Sequence, residues 1–169
     1  IGTTNAGNPL KYPVKQPDGT VAEVDRTDEL VKALDANGID AVVAVGGDGS
    51  LTIANALARK GVRIVGVPKT IDNDLSQTVI TFGFDTALGI ATEAFDRLQT
   101  TGESHHRVML LELMGRDAGF IALHAGVAGD ADVILIPEIP FDLEVVCAKI
   151  RERDATGRRF SLVAVSEGA

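Results

Sequence analysis

The stretch Val42-Val43-Ala44-Val45-Gly46-Gly47-Asp48-Gly49-Ser50 decides the fold that the sequence predicts. Its first four residues are apolar and either small or β-branched, which is typical of a strand buried on both faces. Glycines at three of the next four positions predict a sharp turn, and the apolar spacing that follows predicts a helix over residues 50–59. We therefore expect a strand that runs through a glycine turn into a helix N-terminus.

This glycine turn is suited to binding an anion. Backbone N–H groups and the positive end of a helix dipole point to one place there, and glycines let a phosphate approach the backbone closely. Asp48 adds a carboxylate, which would repel a phosphate unless a divalent cation lay between them. The residues therefore indicate a metal–polyphosphate site, with an ordinary tight strand–helix turn as the alternative.

The composition describes a globular protein without a nucleic-acid or membrane partner. The 169 residues are 45% hydrophobic and 24% charged, and no apolar run reaches membrane-spanning length. A net charge of −8 disfavours a nucleic-acid interface, which needs a basic face, but a local arginine cluster can still bind an anionic substrate. The single cysteine, Cys147, fits a reducing cytoplasm, and we expect it to be buried as a small apolar residue.

The two ends of the sequence are typical of a piece of a longer protein. The chain begins at Ile1, its only methionines are Met109 and Met114, and it ends in a predicted strand over residues 160–165 followed by a turn. Residues 1–20 are rich in Gly, Asn, Thr and Pro without a clear period, so we predict an irregular loop there.

A second predicted strand, over residues 63–68, completes a strand–helix–strand unit and therefore a parallel sheet, in which ligands bind beyond the carboxyl ends of the strands. The motif Pro68-Lys69-Thr70-Ile71-Asp72-Asn73-Asp74 lies at that edge and shows no period, so we predict a loop. In such a loop we expect its two carboxylates, Asp72 and Asp74, to point in different directions. One would face a metal and the other a substrate hydroxyl, as a general base. The alternative is a polar turn without a catalytic role.

The second half of the chain continues the strand–turn–helix pattern, with strands predicted over residues 108–113, 132–136 and 160–165. The first of these is followed by Met114-Gly115-Arg116-Asp117-Ala118-Gly119, another glycine turn. Arg116 offers a fork of donors that suits a phosphate, and pairing with Asp117 or another nearby carboxylate is the alternative. Helix N-caps are predicted at Thr27 and Asp142.

Four motifs, in their order along the chain, resemble the 6-phosphofructokinase family: Gly46-Gly47-Asp48-Gly49-Ser50, Pro68-Lys69-Thr70-Ile71-Asp72-Asn73-Asp74, Met114-Gly115-Arg116 and Pro137-Glu138-Ile139-Pro140-Phe141. The resemblance covers nearly the whole chain, although Gly-Gly-Asp-Gly alone also occurs in NAD kinases and diacylglycerol kinases. It implies an α/β, Rossmann-like three-layer sandwich with mainly parallel sheets and two subdomains around a cleft. Residues 1–82 would belong to the domain that binds the phosphoryl donor, and residues 83–169 to the domain that binds fructose 6-phosphate.

The resemblance also implies the reaction, a step of glycolysis in which a phosphoryl group passes to the 1-hydroxyl of fructose 6-phosphate with Mg²⁺. Asp72 would be the general base with Thr70 beside it, and Arg116 would stabilise charge on the transferring phosphoryl group. The carboxylates on the metal side would be Asp48 and Asp74. The residues implied in binding the donor are Gly47, Asp48, Gly49, Ser50 and Lys69. The residues implied in binding the sugar phosphate are Thr70, Asp72, Asp74, Met114, Gly115, Arg116 and Glu167.

A homo-oligomer, either a dimer or a tetramer, is a further implication of the resemblance. Arg107 matches a basic residue that, in this family, reaches the sugar phosphate bound by a neighbouring subunit. The resemblance therefore predicts that Arg107 contributes to substrate binding across a subunit interface.

The identity of the donor depends on two positions. In this family a glycine at the Gly49 position leaves room for ATP, whereas pyrophosphate-dependent members usually have an aspartate there. Lys69 favours pyrophosphate, because ATP-dependent members commonly have glycine at that position and pyrophosphate-dependent ones have lysine. We predict ATP, since the aspartate that would block the α-phosphate is absent, with pyrophosphate as the alternative.

Two other functions stay open from the sequence. A kinase that acts on NAD or a lipid shares the Gly-Gly-Asp-Gly motif, but the Thr-Ile-Asp-Asn-Asp and Met-Gly-Arg motifs disfavour it. A non-catalytic subunit that binds a sugar phosphate is suggested by Thr3-Thr4-Asn5, because the family usually carries an arginine near Asn5 or Ala6 and this chain has none there. The presence of Asp72 and Arg116 favours an enzyme over that subunit.

Overall fold

The computed structural model describes residues 7–169, so the prediction for Thr3-Thr4-Asn5 and Ala6 lies outside the described residues. The chain forms two compact units, one up to Lys69 and one from Thr70 onward. Helices and strands alternate in both units, and three strand pairs described below are parallel. The predicted α/β class with mainly parallel sheets is therefore confirmed, whereas the domain boundary after residue 82 stays a prediction.

The first unit contains a hairpin followed by strand–helix–strand structure. Its elements are a 3₁₀ turn Pro9–Lys11, β1 (Tyr12–Lys15), β2 (Val21–Val24), α1 (Thr27–Ala36), β3 (Val42–Gly46), α2 (Asp48–Arg59) and β4 (Ile64–Thr70). Strands β1 and β2 pair antiparallel, and β3 pairs with β4 in parallel. The prediction of an irregular loop over residues 1–20 is wrong for β1, because these short strands are mostly exposed and leave only a weak alternation of apolar and polar residues.

Two boundaries beside the glycine turn differ from their predictions. Helix α2 begins at Asp48 rather than Ser50, with Gly47 as its N-cap residue, because an acidic residue is favourable in the first turn of a helix. Strand β4 continues through Pro68 to Thr70, since Pro68 is still paired with β3. Lys69 and Thr70 of the predicted loop therefore belong to the strand, and their polar side chains concealed it.

The second unit is built on a parallel three-stranded sheet. Its elements are β5 (Phe82–Gly83), α3 (Phe84–His105), β6 (Val108–Leu113), α4 (Phe120–Ala128), β7 (Val133–Leu135), α5 (Leu143–Ala155) and β8 (Ser161–Ser166). The strand order is β6-β8-β7, with Leu113 opposite Ser166 and Leu135 opposite Val165. The carboxyl ends of the three strands therefore meet at one edge, the edge at which such sheets bind ligands.

The core of the second unit is formed by α3, α4 and β8 around two phenylalanines. Phe95 is fully buried and Phe84 is 4% exposed. The other buried members of this core are small or aliphatic: Ala91, Leu113, Ile121, Ala122, Ala125, Ile136, Leu162 and Ala164. The sheet that positions the site residues is thus anchored by apolar burial, the main favourable term in folding.

Of the two predicted N-caps, one is confirmed and one is wrong. The Asp142 side chain accepts the Glu144 N–H at 2.8 Å and begins α5 as predicted. Thr27 instead is the first residue of α1, with Arg26 as the N-cap residue. Its N–H and its hydroxyl both donate to Asp25, so the hydroxyl is engaged before the helix rather than with the helix N–H groups.

The prediction of a buried cysteine is wrong. Cys147 lies on α5 and is exposed, and no residue of α5 is buried in the described part of the chain. Among residues 7–169, none of the helices combines the length and the apolar composition needed to span a bilayer.

Two glycines of the second unit should respond in opposite ways to alanine. A Cβ added to Gly129, at the end of α4, would lie 2.6 Å from the Phe95 Cβ, so Gly129→Ala should lower the free energy of unfolding by about 1–3 kcal/mol. Within residues 7–169, no neighbouring atom lies within 4 Å of a Cβ added to Gly89 in α3. Gly89→Ala should therefore raise that free energy by about 0.5–1 kcal/mol.

Urea unfolding of the intact protein measures both changes. A neutral Gly129→Ala would contradict the packing against Phe95, and a destabilising Gly89→Ala would contradict the open helical position of Gly89.

Candidate functional site

The glycine turn predicted as a phosphate site forms the entry of α2. Gly47, the N-cap residue, has no side chain to bond the first-turn N–H groups, and Asp48, Gly49 and Ser50 are exposed. Gly46 is required by packing, because a Cβ there would lie 2.4 Å from the Ser50 Cβ. Gly49 has no such reason, since nothing in the described part of the chain lies within 4 Å of its Cβ position. The helix start therefore offers space and uncapped N–H donors to an anion.

Asp72 is held just beyond the carboxyl end of β4 by Thr70. The Asp72 N–H donates to Thr70 Oγ1 at 3.1 Å, and the Thr70 hydroxyl donates to Asp72 Oδ2 at 3.2 Å. Asp72 is 9% exposed, whereas Asp74 is exposed. The two carboxylates of the motif thus lie in different surroundings, one oriented and buried and one open to solvent.

Thr81 closes the loop that carries these carboxylates, and sequence reasoning missed it. Its hydroxyl donates to the Thr70 carbonyl oxygen at 2.9 Å, and its N–H donates to Asn73 Oδ1 at 2.9 Å. Thr81 is 3% exposed, and Asn73 has a left-handed φ of +56°. The two bonds join the ends of the loop around Asp72. A lone threonine before a helix was the only signal in the sequence, and it does not distinguish a buried residue from a surface one.

The turn after β6 holds Arg116 in an uncommon backbone conformation. Arg116 has φ +55°, a region that non-glycine residues enter at a cost of about 1–2 kcal/mol. Glu167 Oε1 accepts the Gly115 N–H at 3.0 Å and the Arg116 N–H at 2.6 Å. A Cβ added to Gly168 would lie 2.2 Å from the Arg116 carbonyl oxygen, so the chain after β8 lies directly against the turn. The structure thus brings Gly115, Arg116 and Glu167 together.

Glu138 is a second residue to which the sequence assigned no role. Its Oε1 accepts the Gly119 N–H at 2.8 Å, at the start of α4. The signal available in the sequence was its position shortly after a predicted strand, inside one of the four motifs. Such a position places it at the ligand-binding edge of the sheet but does not show which group it contacts.

An apolar groove of about 550 Å³ connects the Asp72 loop with the turn after β6. Ile71, the neighbour of Asp72, and Met114 both line it. Arg107 lies apart from them, because it precedes β6 whereas Met114 follows it, and six residues of strand span roughly 20 Å. Within one chain, Arg107 is therefore remote from Met114 and the Arg116 turn.

The predicted site residues divide between the two units. The first unit holds those on the donor side: Gly47, Asp48, Gly49, Ser50 and Lys69. The second unit holds those on the sugar-phosphate side: Thr70, Asp72, Asp74, Arg107, Met114, Gly115, Arg116 and Glu167. The predicted metal carboxylates, Asp48 and Asp74, are one in each unit.

Carboxylate oxygens are the type of ligand that suits Mg²⁺. Among residues 7–169, no three His, Cys, Asp or Glu side chains form a metal-binding group. Magnesium needs only one or two protein carboxylates when waters and substrate phosphates supply its other ligands. Asp48 and Asp74 are both exposed, and each carries the type of oxygen ligand that Mg²⁺ prefers.

Comparison with known proteins agrees with these motifs. The phosphofructokinase family model matches residues 4–169. ATP-dependent 6-phosphofructokinase 2 of Clostridium perfringens is 54% identical over 169 residues, covering 100% of this chain and 46% of that protein. ATP-dependent 6-phosphofructokinase 1 of Synechocystis is 56% identical over 168 residues, covering 99% of this chain and 45% of that protein. The chain thus spans about half the length of the curated relatives it matches.

The fold agrees with a solved structure as well. The pyrophosphate-dependent phosphofructokinase from Marinobacter aquaeolei superposes with a TM-score of 0.73 at 31% identity, covering 89% of this chain and 44% of that one. The predicted Rossmann-like class is therefore confirmed. The family model matches nearly the whole chain, whereas only the Gly-Gly-Asp-Gly motif supported a kinase for NAD or a lipid. The chain belongs to the phosphofructokinase family.

Proposed function

We propose that the intact protein is an ATP-dependent 6-phosphofructokinase. It transfers a phosphoryl group from ATP to the 1-hydroxyl of fructose 6-phosphate with Mg²⁺, giving fructose 1,6-bisphosphate in glycolysis. The observation that carries this proposal is the identity of 54% and 56% to two relatives named ATP-dependent 6-phosphofructokinase, over at least 99% of this chain. We also propose a cytoplasmic location, which a single cysteine and the absence of an intrachain disulfide support.

Asp72 is assigned as the general base. Thr70 orients its carboxylate, which takes the proton from the 1-hydroxyl as that oxygen attacks phosphorus. Arg116 is assigned to stabilise the negative charge of the transferring group, and Glu167 holds the turn that carries it. Asp48 and Asp74 would hold Mg²⁺, which when bound neutralises phosphate charge.

The entry of α2 supports ATP as the donor. Among residues 7–169, nothing lies within 4 Å of a Cβ added to Gly49, and its φ is not positive, so neither packing there nor backbone conformation explains a glycine. That space suits a donor larger than pyrophosphate. Lys69 is exposed near the end of β4 and adds positive charge on the donor side, which keeps pyrophosphate as the second candidate.

A product assay on the intact protein tests the proposed function. With Mg²⁺ and fructose 6-phosphate, ATP should give fructose 1,6-bisphosphate at a higher kcat/KM than pyrophosphate does. Turnover with pyrophosphate alone would reverse the donor assignment but keep the reaction. Silence with both donors, despite measurable fructose 6-phosphate binding, would instead favour a non-catalytic sugar-phosphate-binding subunit.

Asp72→Asn tests the assignment of the base. The turnover number should fall by about 10²–10⁴-fold, the usual loss on removing a general base. The dissociation constant for fructose 6-phosphate should change little, because the amide keeps the size of the carboxylate. Asp96→Asn, an exposed position on α3, is the matched control and should keep normal turnover. Near-normal turnover of Asp72→Asn would refute the assignment.

Arg107 supports a homo-oligomer as the working form, either a dimer or a tetramer. It is exposed and lies at the opposite end of β6 from Met114 and Arg116, so it cannot complete the sugar-phosphate site of its own chain from there. We assign it to the fructose 6-phosphate bound by a neighbouring subunit, where a guanidinium fork suits the phosphate.

Mixed oligomers test this assignment. Arg107→Ala alone should raise the KM for fructose 6-phosphate, and Asp72→Asn alone should lose turnover. In a hybrid of the two subunits, one site combines an intact Asp72 with an intact Arg107 from its neighbour, so activity at low fructose 6-phosphate should exceed that of either parent. A hybrid no better than the average of its parents would show that Arg107 does not act across the interface.

A further inference from the structure

We propose that Glu138 is a positioning residue for Arg116, acting through the turn over residues 114–119; this inference rests on the proposed function. Glu167 Oε1 holds the first half of the turn by accepting two of its N–H groups. Glu138 Oε1 holds its far end by accepting the Gly119 N–H at 2.8 Å. The backbone that carries Arg116 is therefore fixed on both sides by carboxylates.

The contact between Glu138 and Gly119 is close as well as hydrogen-bonded. A Cβ added to Gly119 would lie 2.6 Å from Glu138 Oε2 and 2.4 Å from the Ile136 Cβ, so any larger residue would displace the carboxylate or the strand end. Gly119 is also the N-cap residue of α4, where the helix dipole favours a negative charge. The contact thus combines a charge-assisted hydrogen bond with a tight fit.

Both glutamates follow a buried residue at the end of a strand or directly after it. Ile136 is 8% exposed and comes two residues before Glu138, and Ser166 is 1% exposed and comes directly before Glu167. Strands β7 and β8 are neighbours in the sheet, so adjacent strands supply the two carboxylates that bracket one turn. A side chain carried by such a turn is pre-organised, as a group that stabilises transferring charge must be.

The role of Glu138 is geometric rather than electrostatic toward the substrate. Its carboxylate is bonded to the protein backbone, and a negative charge on the transferring phosphoryl group would be repelled by it. The turn requires from residue 138 only a side-chain oxygen that can accept the Gly119 N–H. Glutamine supplies that oxygen without the charge, so Glu138→Gln should replace it and Glu138→Ala should not.

Kinetics of the intact protein compare Glu138→Ala and Glu138→Gln with the control Glu103→Ala, which removes an exposed carboxylate on α3. Glu138→Ala should lower kcat about 10- to 100-fold, the range for a misplaced group, with the KM for fructose 6-phosphate changing less than about threefold. The Gln variant and the control should keep kcat within about threefold of the unchanged protein. Equal losses in the Ala and Gln variants would overturn the positioning role.

A double-mutant cycle separates positioning from a purely structural role. In an Arg116→Ala background, Glu138→Ala should add less than about a twofold loss, because no guanidinium is left to position. The full loss in that background would overturn the proposal.

Hydrogen exchange tests the same contact without activity. In Glu138→Ala the amides of Gly115, Arg116 and Gly119 should exchange about tenfold faster than in the unchanged protein, because one of the two attachments of the turn is lost. Unchanged exchange at Gly115 and Arg116 would overturn the proposal even in a protein without phosphofructokinase activity. If these amides exchange faster but the unchanged protein uses neither ATP nor pyrophosphate, only the proposed function is overturned. The contact between Glu138 and the turn then stands.

Discussion

The parallel pairing of β8 between β6 and β7 is the constraint on which the sugar-phosphate side of the site depends. Because Leu113 lies opposite Ser166, the chain after both strands emerges at one edge, and Glu167 reaches the N–H groups of Gly115 and Arg116. A slip of one residue would turn Glu167 to the other face of the sheet and leave the turn without its acceptor. Burial maintains the register, since these residues of β8 are at most 3% exposed: Ser161, Leu162, Val163, Ala164 and Ser166.

The turn around Arg116 shows why the register matters energetically. The left-handed conformation of Arg116 costs about 1–2 kcal/mol. A hydrogen bond that solvent can reach contributes about 0.5–1.5 kcal/mol, so the two bonds that Glu167 accepts together offset a strain of this size. The conformation that presents Arg116 is therefore maintained by a residue 51 positions away in the chain.

The N-termini of α2 and α4, each of which follows a parallel strand, are used differently. At α4, Glu138 accepts the Gly119 N–H, so a protein carboxylate occupies the position where an anion would bind. At α2, Gly47 provides no side-chain cap, and nothing in the part of the chain that the structure describes lies within 4 Å of a Cβ added to Gly49. A helix N-terminus thus fixes the backbone at α4, whereas at α2 it presents N–H donors to a ligand. A glycine is the N-cap residue of each helix, Gly47 for α2 and Gly119 for α4. Only the atoms around that glycine show which of the two uses applies.

The sequence by itself determined the α/β class, most of the strands and helices and the motifs of the family, because apolar periodicity and glycine turns are local properties of a chain. It also predicted roles for Asp72 and Arg116, because a carboxylate suits a general base and a guanidinium suits a phosphate. It missed Thr81 and Glu138, whose hydrogen-bond partners lie 11 and 19 residues away in the chain. It also predicted a buried Cys147, which is exposed. Only the tertiary structure decided these three positions. The register of strands that are distant in sequence determines which acceptor lies beside which N–H group and which face of a helix is covered.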